Sequence, residues 1–225
     1  MDFNRTIIPE KTTDGSHTLY IPELDEHYHS VKGALTESLH IYCGLGLNYF
    51  IESRDASDHP IRVFEVGFGT GLNALLTMKI ATERGIKVHY ITVEKYPLTW
   101  EDVKQLEYSN TPEFEYAHSL PWDKDGIVNE CFVLHKSHTN VLTMEVPQNI
   151  DVVYFDAFAP EKQPELWSEL LFKRIYNSMT NGGVLTTYCA KGVVRRMLQQ
   201  VGFKVQRLPG PPGGKREVLR AVKVS

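Results

Sequence analysis

Cysteine is scarce in this chain: Cys43, Cys131 and Cys189 are the only three in 225 residues, and no two form a C-x-x-C pair. The odd count and wide spacing exclude a disulfide framework and offer no zinc site. Metal ligation by histidine is no better supported. His27-x-His29 has strand spacing but no third ligand nearby, so His27 and His29, like His135 and His138, are expected as exposed side chains, with no metal bound. Runs long and apolar enough to cross a bilayer are also missing, and Met1-Asp2-Phe3-Asn4-Arg5 does not read as a secretion signal. The expectation is a soluble cytoplasmic protein with no membrane partner.

Acid outweighs base overall, for a net charge of −4, which by itself argues against a nucleic-acid partner. The imbalance is local, however. From Lys191 onward nine Lys and Arg face a single acid, Glu217, giving that tail +8 while residues 1–190 carry −12. A basic stretch of this density favours a surface that meets phosphates. At 42% hydrophobic the chain can bury one substantial core, read as a Rossmann-like domain over 51–225 with an N-terminal extension over 1–50, a hairpin and a helix, packed on it.

The densest signal is Arg62-Val63-Phe64-Glu65-Val66-Gly67-Phe68-Gly69-Thr70-Gly71-Leu72-Asn73, an apolar strand running through a glycine turn into a helix. Gly67 and Gly69 let the backbone turn tightly and approach a ligand, and the helix beginning near Thr70 aims free N–H groups at it. A dinucleotide fingerprint places its third glycine where Leu72 stands; here it comes one residue early, at Gly71. G-x-G-x-G preceded by an acid, Glu65, is the pattern of S-adenosylmethionine sites. The next strand, 87–93, ends beside Glu94, where a carboxylate can accept both ribose hydroxyls.

The βα alternation continues with helix 70–83, helix 98–108, a strand near 131–135, strand 150–155, a helix over 164–180 closed by Asn181-Gly182-Gly183, strand 184–188 and helix 190–201. Helix 164–180 should turn Leu166, Leu170 and Met179 to the core, with Trp167 and Ile175 beside them. Residues 1–30 suggest a small hairpin or extended arm, and 33–51 a helix with Leu35, Leu39, Tyr42 and Cys43 on one face, interrupted near Gly44 and Gly46. Two closing strands, 203–208 and 217–224, form a hairpin, so one of them runs against the others. Seven strands, mostly parallel, helices on both faces and a terminal antiparallel hairpin describe the class I methyltransferase fold.

Asp156-Ala157-Phe158-Ala159-Pro160 follows the fourth of these strands, beside the glycine turn. An acid, a backbone carbonyl and an aromatic ring there can receive the N–H bonds of an amine and stack on the planar group that carries it. A helix-capping Asp156 and a core Phe158 are the plainer readings of the same residues.

These segments, together with Val93-Glu94-Lys95-Tyr96-Pro97-Leu98, Pro164-Glu165-Leu166-Trp167, Gly192-Val193-Val194-Arg195-Arg196 and Gly214-Lys215-Arg216-Glu217, resemble the methyltransferase module of the tRNA 5-methylaminomethyl-2-thiouridine biosynthesis enzymes. The resemblance spans most of residues 15–220. It implies methyl transfer from S-adenosylmethionine to the aminomethyl nitrogen of a wobble uridine. Glu65, Gly67, Phe68, Gly69, Thr70, Gly71, Asn73, Glu94, Lys95 and Asp156 would hold the cofactor, and Asp156 would be the catalytic acid. Phe158, Pro160, Lys191, Arg195, Arg196, Lys215 and Arg216 would meet the substrate, with the basic tail on the tRNA anticodon stem-loop. Two departures stand out. The family's Gly-Asp after the third strand is replaced by His135-Lys136-Ser137, without an acid for adenine, and the chain stops before a flavin-dependent oxidase module. It would therefore be a single-activity form, dependent on separate enzymes for its aminomethyl substrate.

Two other readings share these features. An aminopropyltransferase like spermidine synthase has the fold, a ribose acid and an amine-binding Asp, but its polycationic substrate would want acids where Phe158 and the basic tail stand. A non-catalytic RNA-binding module would have no use for Glu65, Gly67, Glu94 and Asp156 together.

Overall fold

In Ile61–Val66 and Ile150–Phe155 nine of twelve side chains are apolar and they fall on both faces, so strands built from them need cover on both sides. The computed structural model describes residues 5–53, 59–106, 108 and 110–224. It opens with β1 (Ile8–Lys11), β2 (His17–Ile21) and β3 (Glu26–His27), a small antiparallel sheet. Then come α1 (Ala34–Ser38), a π-helical stretch (Leu39–Asn48) and α2 (Tyr49–Ser53). Beyond them lie β4 (Ile61–Val66), α3 (Leu72–Arg84), β5 (Val88–Glu94), α4 (Trp100–Val103), α5 (Pro112–Ser119), β6 (Asp125–Asn129), β7 (Phe132–His138) and β8 (Ile150–Phe155). The chain closes with α6 (Glu169–Ser178), β9 (Met179–Thr187), α7 (Gly192–Val201), β10 (Phe203–Pro209) and β11 (Glu217–Lys223).

The large sheet runs β10-β11-β9-β8-β4-β5-β7-β6. β11 is antiparallel to both β9 and β10, and the core strands from β9 through β7 are parallel. Alternation along each strand splits the interior in two. Val63, Tyr90, Val152 and Tyr154 face the layer of α3 and the π-helical stretch, while Phe64, Ile91, Val153 and Phe155 face α6 and α7. The chain leaves β4 toward β5 and later returns to β8 on β4's other side. That reversal puts a crevice at the carboxyl ends of β4 and β8, where such sheets bind ligands.

Several expectations change. The sheet has eight strands rather than seven, because β6 pairs antiparallel at the edge of β7. Its Gly126 and 70% exposed Ile127 mask the strand in the sequence. β7 continues through His138 instead of stopping at 135. The helix expected over 98–108 is one turn, followed by a separate helix opened by Pro112, whose ring suits a first helical position. Glu107 and Ser109 lie outside the described residues.

The long helix 164–180 begins as a 3-10 turn over Pro164–Leu166 and is α-helical only from Glu169 to Ser178. Leu170 points to solvent at 74% exposure, and Met179 already belongs to β9. Asn181-Gly182-Gly183 therefore does not cap the helix. It forms the irregular start of β9, where Gly182 takes a φ of 79° and the pairing with β8 slips. Helicity also continues through Gly44 and Gly46, and the wider π turns leave Leu39 half exposed rather than on the buried face.

Candidate active site

Everything that converges on the crevice does so because β4 and β8 end side by side. Gly67 sits immediately after β4 with a φ of 93°, and a Cβ there would lie 2.8 Å from the carbonyl oxygen of Asp156. Only a glycine allows that approach. Gly69 and Gly71 also have left-handed φ values, 50° and 80°, and Gly71 is the N-cap of α3. The cleft is lined by Gly67, Phe68 and Gly69, by Glu94, Lys95 and Tyr96 after β5, by Thr139, Asn140, Val141 and Leu142 after β7, and by Asp156 and Phe158 after β8; Gly71, expected at the cofactor, lies outside it, packed against Phe68 and His118.

Glu94 is the last residue of β5 and works at the cleft rim. Its two oxygens accept the backbone N–H groups of Gly69 at 3.2 Å and Tyr96 at 2.9 Å, tying the glycine turn to the neighbouring strand end. Glu65 is elsewhere. It is fully buried below the cleft, accepting from Asn73 Nδ2 at 3.0 Å and Thr92 Oγ1 at 2.9 Å, and burial pushes its carboxyl up to about 8. Thr70 is likewise buried, bonded to His29 Nε2 at 2.8 Å and to the Tyr108 hydroxyl at 2.9 Å.

Asp156 lines the cleft, and each of its oxygens is already engaged. Tyr42 donates its hydroxyl to Oδ1 at 2.5 Å, and Asn73 donates Nδ2 to Oδ2 at 2.9 Å. Burial drives its carboxyl up to about 7; the Tyr42 bond opposes that, Glu37 adds to it, and Asn73 and Lys215 oppose it. A carboxyl poised there can hold or release a proton near neutral pH. Phe158, two residues on, has its ring 5.3 Å from that of Tyr28, edge to face, and its carbonyl accepts from the Trp167 indole at 2.8 Å. The Pro164-x-x-Trp167 turn thus fixes the Asp156–Pro160 segment from behind.

Pro160 faces a second, shallower groove with Tyr188, Lys191, Lys215 and Arg216. Lys191 is ion-paired with Glu161 and Lys215 with Glu37, while the Lys215 ammonium lies 4.6 Å from the Tyr188 ring centre. Arg195 and Arg196 stand on the first turns of α7, outside both clefts. The basic tail is consequently not one free cationic face: Arg207 pairs with Glu217 and Arg220 covers the Tyr49 ring at 3.5 Å.

Sequence reasoning missed Arg5, Tyr28 and His29, which line the cleft, and Tyr42, which lies behind Asp156. His29 is buried beside Thr70, not exposed, and desolvation lowers it to about 4. His27 is partly buried against Glu10, and among the described residues no group of side chains is arranged for a metal. With β7 ending at His138, the residues facing the cleft in the expected adenine region are Thr139 to Leu142, not His135-Lys136-Ser137. Lys136 is instead buried, donating to the carbonyls of Ala117 and His118 at 2.8 and 2.9 Å.

An adenosyl cofactor fits this donor set. Val141 and Leu142 offer an apolar wall, Glu94 an acceptor for a diol, and the close approach at Gly67 leaves room for a polar chain. Among the described residues no helix is long and apolar enough to cross a membrane.

Comparison with known proteins agrees. Residues 129–224 match the model of an S-adenosyl-L-methionine-dependent methyltransferase family. The tRNA 5-methylaminomethyl-2-thiouridine biosynthesis bifunctional protein MnmC of Cupriavidus metallidurans is 30% identical over 95% of this chain and 33% of its own length. That of Idiomarina loihiensis is 29% identical over 97% and 37%. The chain thus spans about a third of these curated relatives. The crystal structure of MNMC2 from Aquifex aeolicus superposes with a TM-score of 0.81 at 25% identity, over 99% of this chain and 72% of that one. Spermidine synthase from Thermotoga maritima shares the fold, with a TM-score of 0.59 at 15% identity over 98% of this chain and 73% of that one. Family model, sequence and fold agree: the chain is similar to S-adenosyl-L-methionine-dependent methyltransferases and, over about a third of their length, to the MnmC proteins.

Proposed function

We propose that this protein methylates the aminomethyl nitrogen of 5-aminomethyl-2-thiouridine at the wobble position of tRNA, in the cytoplasm. The observation that carries the reading is the Asp156 carboxylate at the end of β8, held by donors on both oxygens and open to the same cleft as Gly67 and Glu94. S-adenosylmethionine, when bound, supplies a methyl group on a positively charged sulfur. Glu94 would hold its ribose, the turn from Gly67 to Gly69 its amino-acid portion, and Val141 and Leu142 its base.

The chain's own task is to present an amine with its lone pair free. An alkylamine near the lysine reference pKa of about 10.4 is protonated at neutral pH, and freeing the lone pair costs roughly 4 to 5 kcal/mol. Asp156, with its carboxyl near 7, accepts an N–H bond from the ammonium and takes its proton. Phe158 and Tyr28 offer ring faces to the uracil, and the groove of Pro160, Lys191, Lys215 and Arg216 receives the flanking phosphates of the anticodon stem-loop. Separate enzymes would deliver the aminomethyl group. Residues 1–50 act in this reading as an extension that supplies Tyr28 and Tyr42 to a methyltransferase domain over 51–225.

The test is mass spectrometry of tRNA nucleosides after incubation with protein and labelled S-adenosylmethionine. Label should appear on the aminomethyl uridine. Asp156→Asn should slow single-turnover transfer about a hundred- to a thousandfold, the usual effect of removing one preorganised electrostatic partner. Transfer within about threefold of the parent would make Asp156 structural.

A further inference from the structure

We infer that Tyr42 and Asn73 are positioning residues that hold the Asp156 carboxylate ionised and oriented toward the incoming amine, one donor on each oxygen. The role assigned to Asp156 rests on the amine-methylation reading above; the hydrogen-bond arrangement does not. Tyr42 is 1% exposed and Asn73 3%, and neither lines the cleft, so both reach a substrate only through Asp156.

Tyr42 can act only as a donor. Burial first, and then the neighbouring Asp156 charge, push its phenol well above the ordinary range, so it does not compete for the proton. The approach of its segment to the sheet depends on Gly46, where a Cβ would press on Thr186 Oγ1 and Tyr154 Cε1, each at 3.1 Å. The intervening π-helical turns place the Tyr42 ring 5.3 Å from that of Tyr154, under the end of β8.

Asn73 is fixed by a different argument. Its amide nitrogen donates to two carboxyl groups at once, Glu65 at 3.0 Å and Asp156 at 2.9 Å, and an amide oxygen turned toward the ionised Asp156 would repel it. Its Oδ1 is left buried with no hydrogen-bond partner. An unpaired buried acceptor is costly, and the orientation that strands it is the one that serves Asp156.

The charges around Asp156 show why two donors are needed. Besides the desolvation that favours its neutral form, Glu37 of α1 raises it, and Glu65 lies just beyond Asn73; against these stand Tyr42, Asn73 and the Lys215 ammonium, while Tyr188 contributes a neutral phenol. Losing a donor to the charged form removes one of the groups that oppose burial.

The experiment is a pH titration of the ligand-free full chain carrying carboxyl-labelled aspartate, followed by NMR, with Asp156→Asn identifying the signal. In Tyr42→Phe the Asp156 midpoint should rise from about 7 by roughly one to two pH units, the equivalent of one hydrogen bond to a charged group. Asn73→Ala should move it in the same direction and provides the second arm if either variant folds poorly. The acid limb of single-turnover methylation should shift in parallel. A role confined to packing would lower melting temperature and rate at every pH and leave the midpoint in place. Midpoints within about 0.3 unit of the parent in both variants would overturn the inference. If the parent fails to methylate the amine, the functional reading falls, and the titration still decides whether Tyr42 and Asn73 set the ionisation of Asp156.

Discussion

Replacing Gly67 by alanine tests the geometry on which the site depends. Two costs add there. A side chain at a φ of 93° meets the left-handed penalty of about 1 to 2 kcal/mol. The new Cβ would also sit 2.8 Å from the Asp156 carbonyl oxygen, and a backbone oxygen cannot swing aside as a side-chain tip can. Relief requires β4 and β8 to part just where Asp156 N–H donates to the Val66 carbonyl at 3.1 Å, an overpacking cost of about 1 to 3 kcal/mol. The total is about 2 to 5 kcal/mol. Gly85 provides the control, because its φ is 63° and nothing lies within 4 Å of its would-be Cβ, so Gly85→Ala should lose only the first term. Urea unfolding of both variants at matched slope gives the difference directly. Equal destabilisation of Gly67→Ala and Gly85→Ala would refute the close approach of the two strand ends, and with it the placement of Asp156 against the glycine turn.

Glu94→Ala should weaken S-adenosylmethionine binding by roughly 1.5 to 3 kcal/mol, the range for a hydrogen bond to a charged group, and unchanged affinity by calorimetry would remove Glu94 from the site. Replacing Arg195, Arg196, Lys215 and Arg216 together by Ala should lower tRNA affinity and flatten its dependence on salt. Because Lys215 already serves Glu37, Arg195, Arg196 and Arg216 should account for most of the lost slope. Parallel salt slopes for variant and parent would mean that these cations face away from RNA.

What could be read from the sequence follows from how local each feature is. β4 is legible because its four core residues, Ile61, Val63, Phe64 and Val66, and the glycine turn after it fall in one contiguous stretch. Glu94 and Asp156 are legible for the same reason: each ends an apolar run, and a parallel sheet delivers its strand ends to one edge. β6 escapes because an edge strand buries one face at most, and Gly126 with Ile127 reads as a loop. The end of the 164–180 segment is misread because glycines serve a bulge in β9 as readily as a helix cap, and only the pairing with β8 distinguishes the two uses.

The residues that set the chemistry of Asp156 are hidden for a deeper reason. Tyr42 lies 114 positions from its partner and Asn73 lies 83, so no spacing rule connects them. In the sequence Tyr42 is one more apolar position on a helical face, and burial alone would class it as core. Its hydroxyl is what separates it from a core phenylalanine, and a buried tyrosine hydroxyl needs a partner. Glu65 illustrates the converse. Its place before the glycines marks it for the cofactor, yet the fold sets it beneath the cleft, where Thr92 and Asn73 satisfy it. Glu65 and Asp156 meet at Asn73, whose one amide nitrogen spans the acid the sequence makes conspicuous and the acid the cleft exposes. A motif can therefore be right about the neighbourhood while only the third dimension assigns the work within it: Glu65 orders the amide, the amide and Tyr42 order Asp156, and Asp156 alone of these faces the space a substrate would enter.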